Sequence, residues 1–319
     1  MRLSFSGSKR ALRWLVALIV LGVLGVAVYF QLPAVAYYWV QTQVRGSGDA
    51  TPSIGLQGYR AAVQHRPVQG LERNLSGLTF STHTGTLFGT TNRPPRVVEL
   101  SADGDLLRTI TVHGAKDIEA ITHIEGERFM LADERNSTIY TADIPADVVQ
   151  VQAREPLVLQ LDALHNNLGV EALSWDDERH LLLVGQEKWP LRLLSLQGVD
   201  GAAPTGNTPA SRIRVREWVS HGLGSLFIND LASVTTHAST GNLLLLSEES
   251  AMVVEYTRQG NPVGMMLLWP GMHGLEKKIP QPEGITLAPD GRLFIVSEPN
   301  LFYRFETAVK AVKTGREGR

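Results

Sequence analysis

Five short segments share a pattern in which an oxygen-bearing side chain stands at the head of an apolar run. The segments are SGLTF from Ser76, EAITH from Glu119, EALSW from Glu171, NDLAS from Asn229 and EGITL from Glu283. Oxygen atoms of carboxylates, amides and hydroxyls bind hard cations, and calcium accepts roughly six to eight of them in irregular geometry. If the chain brings the five heads together, they predict a calcium site. Asp230, next to Asn229, is an alternative donor in the fourth segment.

A second set of polar residues, called the turn column below, follows the second apolar run of each unit. Its members are Asn92, Asp133, Glu134, Glu187, Glu248, Glu249 and Glu298. They either form another shell facing the same centre, or line its rim, or are charged turns in solvent. The last alternative is the commoner one for acidic residues.

Other catalytic chemistry finds little support in the sequence. The chain has no cysteine, which excludes thiolate metal sites and a cysteine nucleophile, and it has no HExxH motif for zinc. It also lacks the G-x-S-x-G motif of serine hydrolases and the glycine-rich motifs that cradle phosphates. We therefore predict no catalytic residue and no organic cofactor site.

The elements that position the five heads follow from the way the chain repeats. The heads are separated by 43, 52, 58 and 54 residues, close to the period of propeller blades. Each unit continues with a second and a third apolar run, and the first four units add a fourth. Four short strands form one blade, and equivalent blades surround a central channel. The sequence predicts an all-β, five-bladed β-propeller, with a six-bladed ring as the alternative.

The fifth unit lacks a fourth strand of its own. After Phe305 only a polar tail remains, while GYRAAVQHRPV (58–68) precedes the first unit without belonging to one. If this segment completes the last blade, the ring closes and no sheet edge stays open. The predicted propeller therefore comprises residues 57–306.

The N-terminus predicts a membrane anchor. Four basic residues precede WLVALIVLGVLGVAVYF (14–30), and the next charge is Arg45, so the uncharged stretch is long enough to cross a bilayer. Tyr37, Tyr38 and Trp39 are expected in an aromatic belt at the far interface. The alternative is a signal peptide cleaved after Ala36, since AVA (34–36) has the small-x-small pattern of a cleavage site.

The charge distribution orients this anchor. Basic residues before a span favour a cytoplasmic N-terminus, which would place the propeller on the exported side of the membrane. The predicted organisation is a basic cytoplasmic segment (1–13), a transmembrane anchor (14–40), a linker (41–56), the propeller (57–306) and a polar tail (307–319).

The exported part is acidic. The formal net charge is −2, and residues 1–45 carry five basic and no acidic residues, which leaves −7 for the remainder. A negative domain repels phosphate backbones, so nucleic acid is not an expected partner. The same charge is compatible with divalent cations.

The sequence resembles the SdiA-regulated (YjiK-like) family of bacterial envelope proteins. The resemblance rests on NLSGLTFSTHTGTLFGTTNRPPRVVELSADGDLLRTI (74–110), DIEAITHIEGERFMLADERNSTIYTADI (117–144) and PEGITLAPDGRLFIVSEPNLFYRF (282–305). It implies a five-bladed propeller with a calcium site, distantly related to NHL-repeat propellers. The ligands that it implies are Glu119, Glu171, Asn229 and Glu283.

Two functions are compatible with this sequence, and in a third alternative calcium is purely structural and ties the five blades together at the axis. The first is a membrane-anchored, periplasmic, calcium-binding propeller that acts as a binding or interaction module of the cell envelope, with an unidentified small molecule or envelope protein as partner. The alternative is a calcium-dependent hydrolase for a lactone, ester or phosphoester, because NDLASV (229–234) is similar to calcium-holding segments of lactonase propellers. A substrate panel with and without chelator distinguishes the two.

Overall fold

The repeats form five blades arranged in a ring. A computed structural model describes residues 6–29, 31–45, 52–159, 169–188, 190–199, 213–220 and 226–307. Its elements are α1 (Ser6–Tyr29), α2 (Leu32–Arg45), a 3₁₀ turn (Leu56–Gly58), β1 (Tyr59–Pro67), β2 (Leu75–Ser81), β3 (Thr86–Thr91), β4 (Arg96–Leu100), β5 (Leu106–His113), β6 (Ile118–Glu125), β7 (Arg128–Asp133), β8 (Thr138–Asp143), β9 (Gln150–Gln152), β10 (Arg154–Val158), β11 (Val170–Asp176), β12 (Leu181–Gln186), β13 (Arg192–Gln197), β14 (Arg214–Trp218), β15 (Ser233–Thr236), β16 (Leu243–Ser247), β17 (Met252–Tyr256), β18 (Pro262–Leu267), β19 (Gln281–Leu287), β20 (Leu293–Glu298) and β21 (Leu301–Thr307).

Each blade is built on four antiparallel strands. Blade 1 contains β2 to β5, with β9 added in parallel at its outer edge; blade 2 contains β6, β7, β8 and β10; blade 3 contains β11 to β14; blade 4 contains β15 to β18; and blade 5 contains β19, β20, β21 and β1. The predicted five-bladed propeller is confirmed, and the six-bladed alternative is wrong.

The ring closes by joining the two ends of the propeller. β1 pairs antiparallel with β21, with Tyr59 opposite Thr307 and Pro67 opposite Leu301. The last blade therefore takes its fourth strand from the beginning of the domain, as the unassigned segment 58–68 predicted. Of the predicted polar tail, only Thr307 lies within the described residues.

The core is divided among the gaps between blades. Five clusters of buried apolar side chains each join two neighbouring sheets. Between blades 1 and 2, for example, the rings of Phe88 and Phe129 lie 4.6 Å apart. Because the middle strands of each blade bury side chains on both faces, they contain near-continuous apolar runs such as LLLL in β16, whereas an outer strand such as β14 is mostly exposed.

The small residues that follow the heads let the inner strands approach one another. A Cβ atom on Gly77 would lie 2.6 Å from the carbonyl oxygen of Glu119, and one on Gly284 would lie 2.8 Å from the Cβ of Leu78. Larger side chains would force these strands apart. The glycine or alanine after the head therefore reflects crowding near the channel axis.

A ring of hydroxyl groups connects each inner strand to the next. In each link a serine or threonine hydroxyl accepts a hydrogen bond from a backbone N–H of the following blade. The links are His123 to Thr79 (3.1 Å), Trp175 to Thr122 (2.9 Å), Thr236 to Ser174 (3.0 Å), Ile285 to Ser233 (3.3 Å) and Phe80 to Thr286 (3.1 Å). All five interfaces between blades are thus bridged.

The apolar N-terminal stretch forms two helices, whereas the sequence predicted one span over 14–40. α1 contains an exposed segment, Lys9–Ala27, that is long and apolar enough to cross a membrane. The chain turns at Gln31, whose φ is 52°, and α2 then packs on blade 4 beside β18. The second half of the predicted span therefore belongs to a helix that is docked on the propeller.

Tyr38 shows why this part of the chain packs on protein. Its side chain is fully buried, and its hydroxyl accepts a hydrogen bond from the backbone N–H of Phe227 at 2.9 Å. The same hydroxyl is hydrogen-bonded to that of Tyr256 at 2.8 Å. Tyr38 therefore belongs to the core between blades 3 and 4, and the expectation that it joins Tyr37 and Trp39 in an aromatic belt is wrong.

Candidate metal centre

The strand heads and the turn column meet at one mouth of the central channel. Glu119, Glu171 and Glu283 lie near the start of the inner strands β6, β11 and β19 and are half-buried. The second strand of each blade runs antiparallel to the inner one, so the turn column at its end returns to the same mouth. The topology therefore brings the head acids and most acids of the turn column together. Asp133 is an exception, since it is fully buried and accepts hydrogen bonds from the backbone N–H groups of Lys116 and Asn136.

In blade 1 the turn residue reaches the head of the next blade. The side-chain amide of Asn92 donates to Glu119 Oε1 at 2.6 Å, and the amide of Asn74 donates in turn to Asn92. The hydroxyl of Ser76 is also hydrogen-bonded to Glu119. Ser76, the head of blade 1, therefore supports the head of blade 2.

The same relation recurs between blades 2 and 3, but with an acid in place of the amide. Glu134, the counterpart of Asn92, is hydrogen-bonded to Glu171. A hydrogen bond between two carboxyl groups requires that one of them holds a proton. Two carboxyl groups therefore meet between blades 2 and 3, whereas a carboxyl group and an amide meet between blades 1 and 2.

Blade 4 departs from this pattern. In blades 2, 3 and 5 the residue after the head pairs with the residue two positions before the turn-column acid, as Ala172 does with Gly185. In blade 4 the residue paired in this way is Ser233, opposite Leu246 and two positions before Glu248. The head position of blade 4 is therefore occupied by Ala232, and Asn229 lies three residues earlier.

Neither residue that the sequence offered in blade 4 is at the head position. Asn229 is exposed, and its backbone N–H donates to Ser250 Oγ at 3.1 Å. The buried carboxylate of Asp230 accepts hydrogen bonds from the Ser247 hydroxyl and from the backbone N–H groups of Glu248 and Glu249, both at 3.0 Å. Asp230 thus organises the turn after β16.

Ala232, at the head position of blade 4, has no side-chain oxygen. Glu187 of blade 3 therefore finds no polar head side chain to contact in the next blade. Glu187 is hydrogen-bonded to Glu171 within its own blade. Glu134, Glu171 and Glu187 consequently converge, and one oxygen from each lies within 4.8 Å of the other two. We call these three residues the acid cluster.

Gly169 makes room for the acid cluster. A Cβ atom at this position would lie 2.2 Å from Cγ of Glu134 and 2.7 Å from its Oε1. Real Cβ atoms do not approach other atoms so closely, so a glycine at this position allows Glu134 to lean towards Glu171.

Burial and mutual repulsion raise the pKa values in the acid cluster. The pKa of Glu171 rises to about 11, chiefly through burial and then through the charges of Glu187 and Glu134. Burial and the charge of Glu187 also raise the pKa of Glu134. Without a cation, at least one of these carboxyl groups is protonated at neutral pH.

The pKa values of the other two acidic heads, Glu283 and Glu119, are also raised. Burial and then the charges of Glu298 and Glu248 raise the pKa of Glu283 to about 8. Burial raises the pKa of Glu119 to about 7, against the hydrogen bonds from Asn92 and Ser76, which stabilise its charged form.

The mouth of the channel is therefore strongly negative. The described residues place at least seven carboxyl groups there, those of Glu119, Glu134, Glu171, Glu187, Glu248, Glu283 and Glu298. Among the described residues, Lys188 contacts Glu187 and lies 3.8 Å from Glu249, while Arg93 and Arg135 both pair with Asp117 at 3.2 Å. The acids outnumber the cations that face them.

The acid cluster fits the donor requirements of calcium. Two oxygens bound to one calcium ion at about 2.3–2.6 Å lie at most about 5 Å apart, and the cluster meets this limit. All three donors are carboxylate oxygens, the type that hard cations prefer. An ion between them would also favour the charged carboxylates that burial disfavours.

The site thus combines residues that the sequence ranked differently. Glu171 was a predicted ligand, whereas Glu134 and Glu187 belonged to the turn column, for which a solvated turn was the commoner expectation. Glu119 and Glu283 lie at the same mouth, where the charge of Glu119 contributes to raising the pKa of both Glu171 and Glu283. The sequence signal for Glu134 was its place at the turn-column position that Asn92 occupies one blade earlier.

Comparisons with known proteins agree with the fold. A sequence model of the SdiA-regulated family matches residues 51–306. The crystal structure of Myxococcus xanthus glutaminyl cyclase is similar, with a TM-score of 0.53 and 14% identity over 78% of this chain and 97% of that one. A chain of a nidogen/laminin complex aligns with a TM-score of 0.45 and 14% identity over 71% of this chain and 73% of its own. At 14% identity the match to the glutaminyl cyclase speaks to the fold alone, and the nidogen/laminin match carries no argument.

Proposed function

The chain belongs to the SdiA-regulated family, and we propose that it is a membrane-anchored, calcium-binding propeller that acts as a binding module of the bacterial envelope. The observation that carries this proposal is the acid cluster, in which three carboxylates from two blades converge within 4.8 Å. Seven carboxyl groups around one channel mouth are costly unless a cation accompanies them.

In this proposal Glu134, Glu171 and Glu187 hold the ion between blades 2 and 3. Calcium supplies positive charge and coordination positions for further oxygen ligands, since three carboxylates need not complete its shell. Glu119 and Glu283 keep the rest of the mouth negative. A bound calcium ion would therefore give this otherwise acidic surface a place for an anionic or oxygen-rich group of a partner.

The proposed location is the inner membrane, with the N-terminus in the cytoplasm and the propeller in the periplasm. The exposed apolar segment of α1 and the basic residues Lys9, Arg10 and Arg13 support it, because basic residues favour the cytoplasmic side. We also propose that the anchor is retained. Ala34 and Tyr38 flank the alternative cleavage point after Ala36, and both are buried against the propeller.

Calorimetric titration of the full chain in detergent with calcium tests the proposed binding. Wild type should bind calcium, and Glu171→Gln should weaken binding at least about tenfold, since one lost charge-assisted contact is worth roughly 1.5–3 kcal/mol. Glu125→Gln is the matched control, because Glu125 is exposed at the opposite end of an inner strand. Equal affinities in the two variants would refute the assignment of Glu171.

A calcium-dependent hydrolase is the second candidate. The observation that favours it is Glu119, whose pKa of about 7 suits a general base at neutral pH. Hydrolysis of lactones, esters and phosphoesters, measured with calcium and with chelator, tests this candidate. Activity that disappears both with chelator and in Glu119→Gln would establish it, and uniform inactivity would eliminate it in favour of the binding module.

A further inference from the structure

α2 is attached to the propeller by one of its faces. Ala34, Tyr38 and Thr42 recur every four residues, and all three are buried. Residues at this spacing lie on one side of a helix. This side packs on blade 4, so α2 and the propeller move as one unit.

The opposite face of α2 exposes large apolar side chains, with the polar Gln43 beside them. The exposed fractions of Leu32, Trp39 and Val40 are 43%, 59% and 48%. Positions seven and eight residues apart also share a helix face, so the three side chains form one apolar surface. Large apolar side chains grouped in this way mark a surface that is covered by something else.

The connection to α1 indicates what covers it. α1 ends at Tyr29 and α2 begins at Leu32, and three peptide units reach at most about 11 Å. If α1 crosses a bilayer, the first turn of α2 must lie at the surface of that bilayer. The apolar face of α2 is then within reach of lipid.

We propose that α2 is an interfacial helix, lying between blade 4 and the membrane with Leu32, Trp39 and Val40 in the lipid. This inference rests on the proposed role of α1 as an anchor. Tryptophan is favoured at the membrane–water boundary. Residues 1–45 contain no acidic side chain, so nothing in this helix repels anionic headgroups.

The consequence is a fixed placement of the propeller. One face of α2 is bound to blade 4 and the other to lipid, so the side of the propeller that carries α2 faces the membrane. The propeller is therefore held close to the bilayer, whereas a flexible tether would let it rotate freely. The acid cluster then works at a defined position relative to the lipid surface.

Site-directed spin labelling tests this placement, and the chain is suited to it because it contains no cysteine. Leu18→Cys in α1, Val40→Cys in α2 and Leu107→Cys in blade 1 each carry one nitroxide, all at positions that are more than half or nearly half exposed. The full chain is reconstituted in phosphatidylethanolamine and phosphatidylglycerol vesicles. Collision rates with oxygen and with a water-soluble nickel chelate then report the depth of each label.

The label at Val40 should lie about 5–10 Å below the headgroups, the depth of interfacial helices, with that at Leu18 deeper and that at Leu107 in water. A water-exposed label at Val40 combined with a buried label at Leu18 would overturn the interfacial helix and leave the anchor intact. A water-exposed label at Leu18 would overturn both. Dipolar coupling between Val40 labels of two copies would assign this face to a dimer and also overturn the proposal. Leu32→Cys provides a second position on the same face.

Discussion

At the scale of residues, the carboxyl groups at the channel mouth bind protons unusually tightly in the metal-free chain. The pKa values of Glu119, Glu283 and Glu171 rise from 4.5 to about 7, 8 and 11. Because the folded state binds more protons than the unfolded state above pH 4.5, the free energy of unfolding must fall as pH rises towards these values. Calcium favours the charged carboxylates and opposes this loss.

We therefore predict opposite effects of pH on the metal-free and calcium-loaded proteins. With chelator, the contribution of these groups should lower the melting temperature between about pH 5 and about pH 8, and Glu283→Gln should reduce that decline. With saturating calcium the decline should vanish or reverse. Thermal unfolding followed by circular dichroism measures both series. Parallel pH profiles with chelator and with calcium would contradict the account.

Gly169 offers a test of the acid cluster that removes no ligand. Gly169→Ala places a Cβ atom 2.2 Å from Glu134 Cγ and should push that carboxylate away from Glu171, which should weaken calcium binding about tenfold or more. Gly58→Ala is the control, because a Cβ there meets nothing within 4 Å. Calorimetry compares the two variants, and unchanged affinity in Gly169→Ala would mean that Glu134 is not a ligand.

The sequence was sufficient to predict one member of the acid cluster. Glu171 heads an inner strand and belongs to a repeated pattern, so its place near the channel could be inferred. The approach of Glu134 and Glu187 depends on the space at Gly169 and on the missing side chain at Ala232. Neither of these two features can be inferred from the positions of the turn-column acids in the sequence. The irregular start of blade 4 likewise made Asn229 appear to be its head.

At the scale of elements, α2 is the part of the predicted transmembrane span that instead packs on the propeller. Residues 14–40 carry no charge, and a helix buried against protein and a helix buried in lipid have similar compositions. What distinguishes them is the pairing of the Tyr38 hydroxyl with Phe227 and Tyr256. Those partners lie about 190 and 220 residues away in the chain, so local sequence does not reveal them.

Tyr38→Phe tests how strongly α2 is fixed to blade 4. The substitution leaves the N–H of Phe227 and the hydroxyl of Tyr256 without their shared partner, and should lower the free energy of unfolding by about 1–3 kcal/mol. Tyr37→Phe, one residue earlier on the same helix and only half-buried, is the control. Chemical denaturation of the full chain in detergent measures both. Equal stabilities would show that the Tyr38 hydroxyl does not contribute to docking.

At the scale of the whole molecule, the propeller is closed twice, by the pairing of β1 with β21 and by the hydroxyl ring around the axis. The repeats made the blade number predictable, because each unit carries its own turn signals and apolar runs. The hydroxyl ring was not predicted, since serine and threonine are common in strands and their partners lie in another blade.

The ring should make equivalent substitutions in different blades equally costly. Thr122→Val removes the acceptor of the buried Trp175 N–H and should destabilise the protein by about 1–3 kcal/mol. Thr79→Val and Thr286→Val should cost similar amounts. Thr82→Val, at an exposed position just after β2, should change stability little. Chemical denaturation measures the free energy of unfolding of each variant. If the three substitutions in the hydroxyl ring lower it no more than Thr82→Val does, the ring has no structural role.

We propose that the acid cluster holds a calcium ion between blades 2 and 3. Anomalous scattering from crystals of the full chain grown with calcium tests it most directly. We expect an anomalous peak about 2.3–2.6 Å from carboxylate oxygens of Glu134, Glu171 and Glu187. Absence of a peak at these three side chains, with calcium present at saturating concentration, would contradict it.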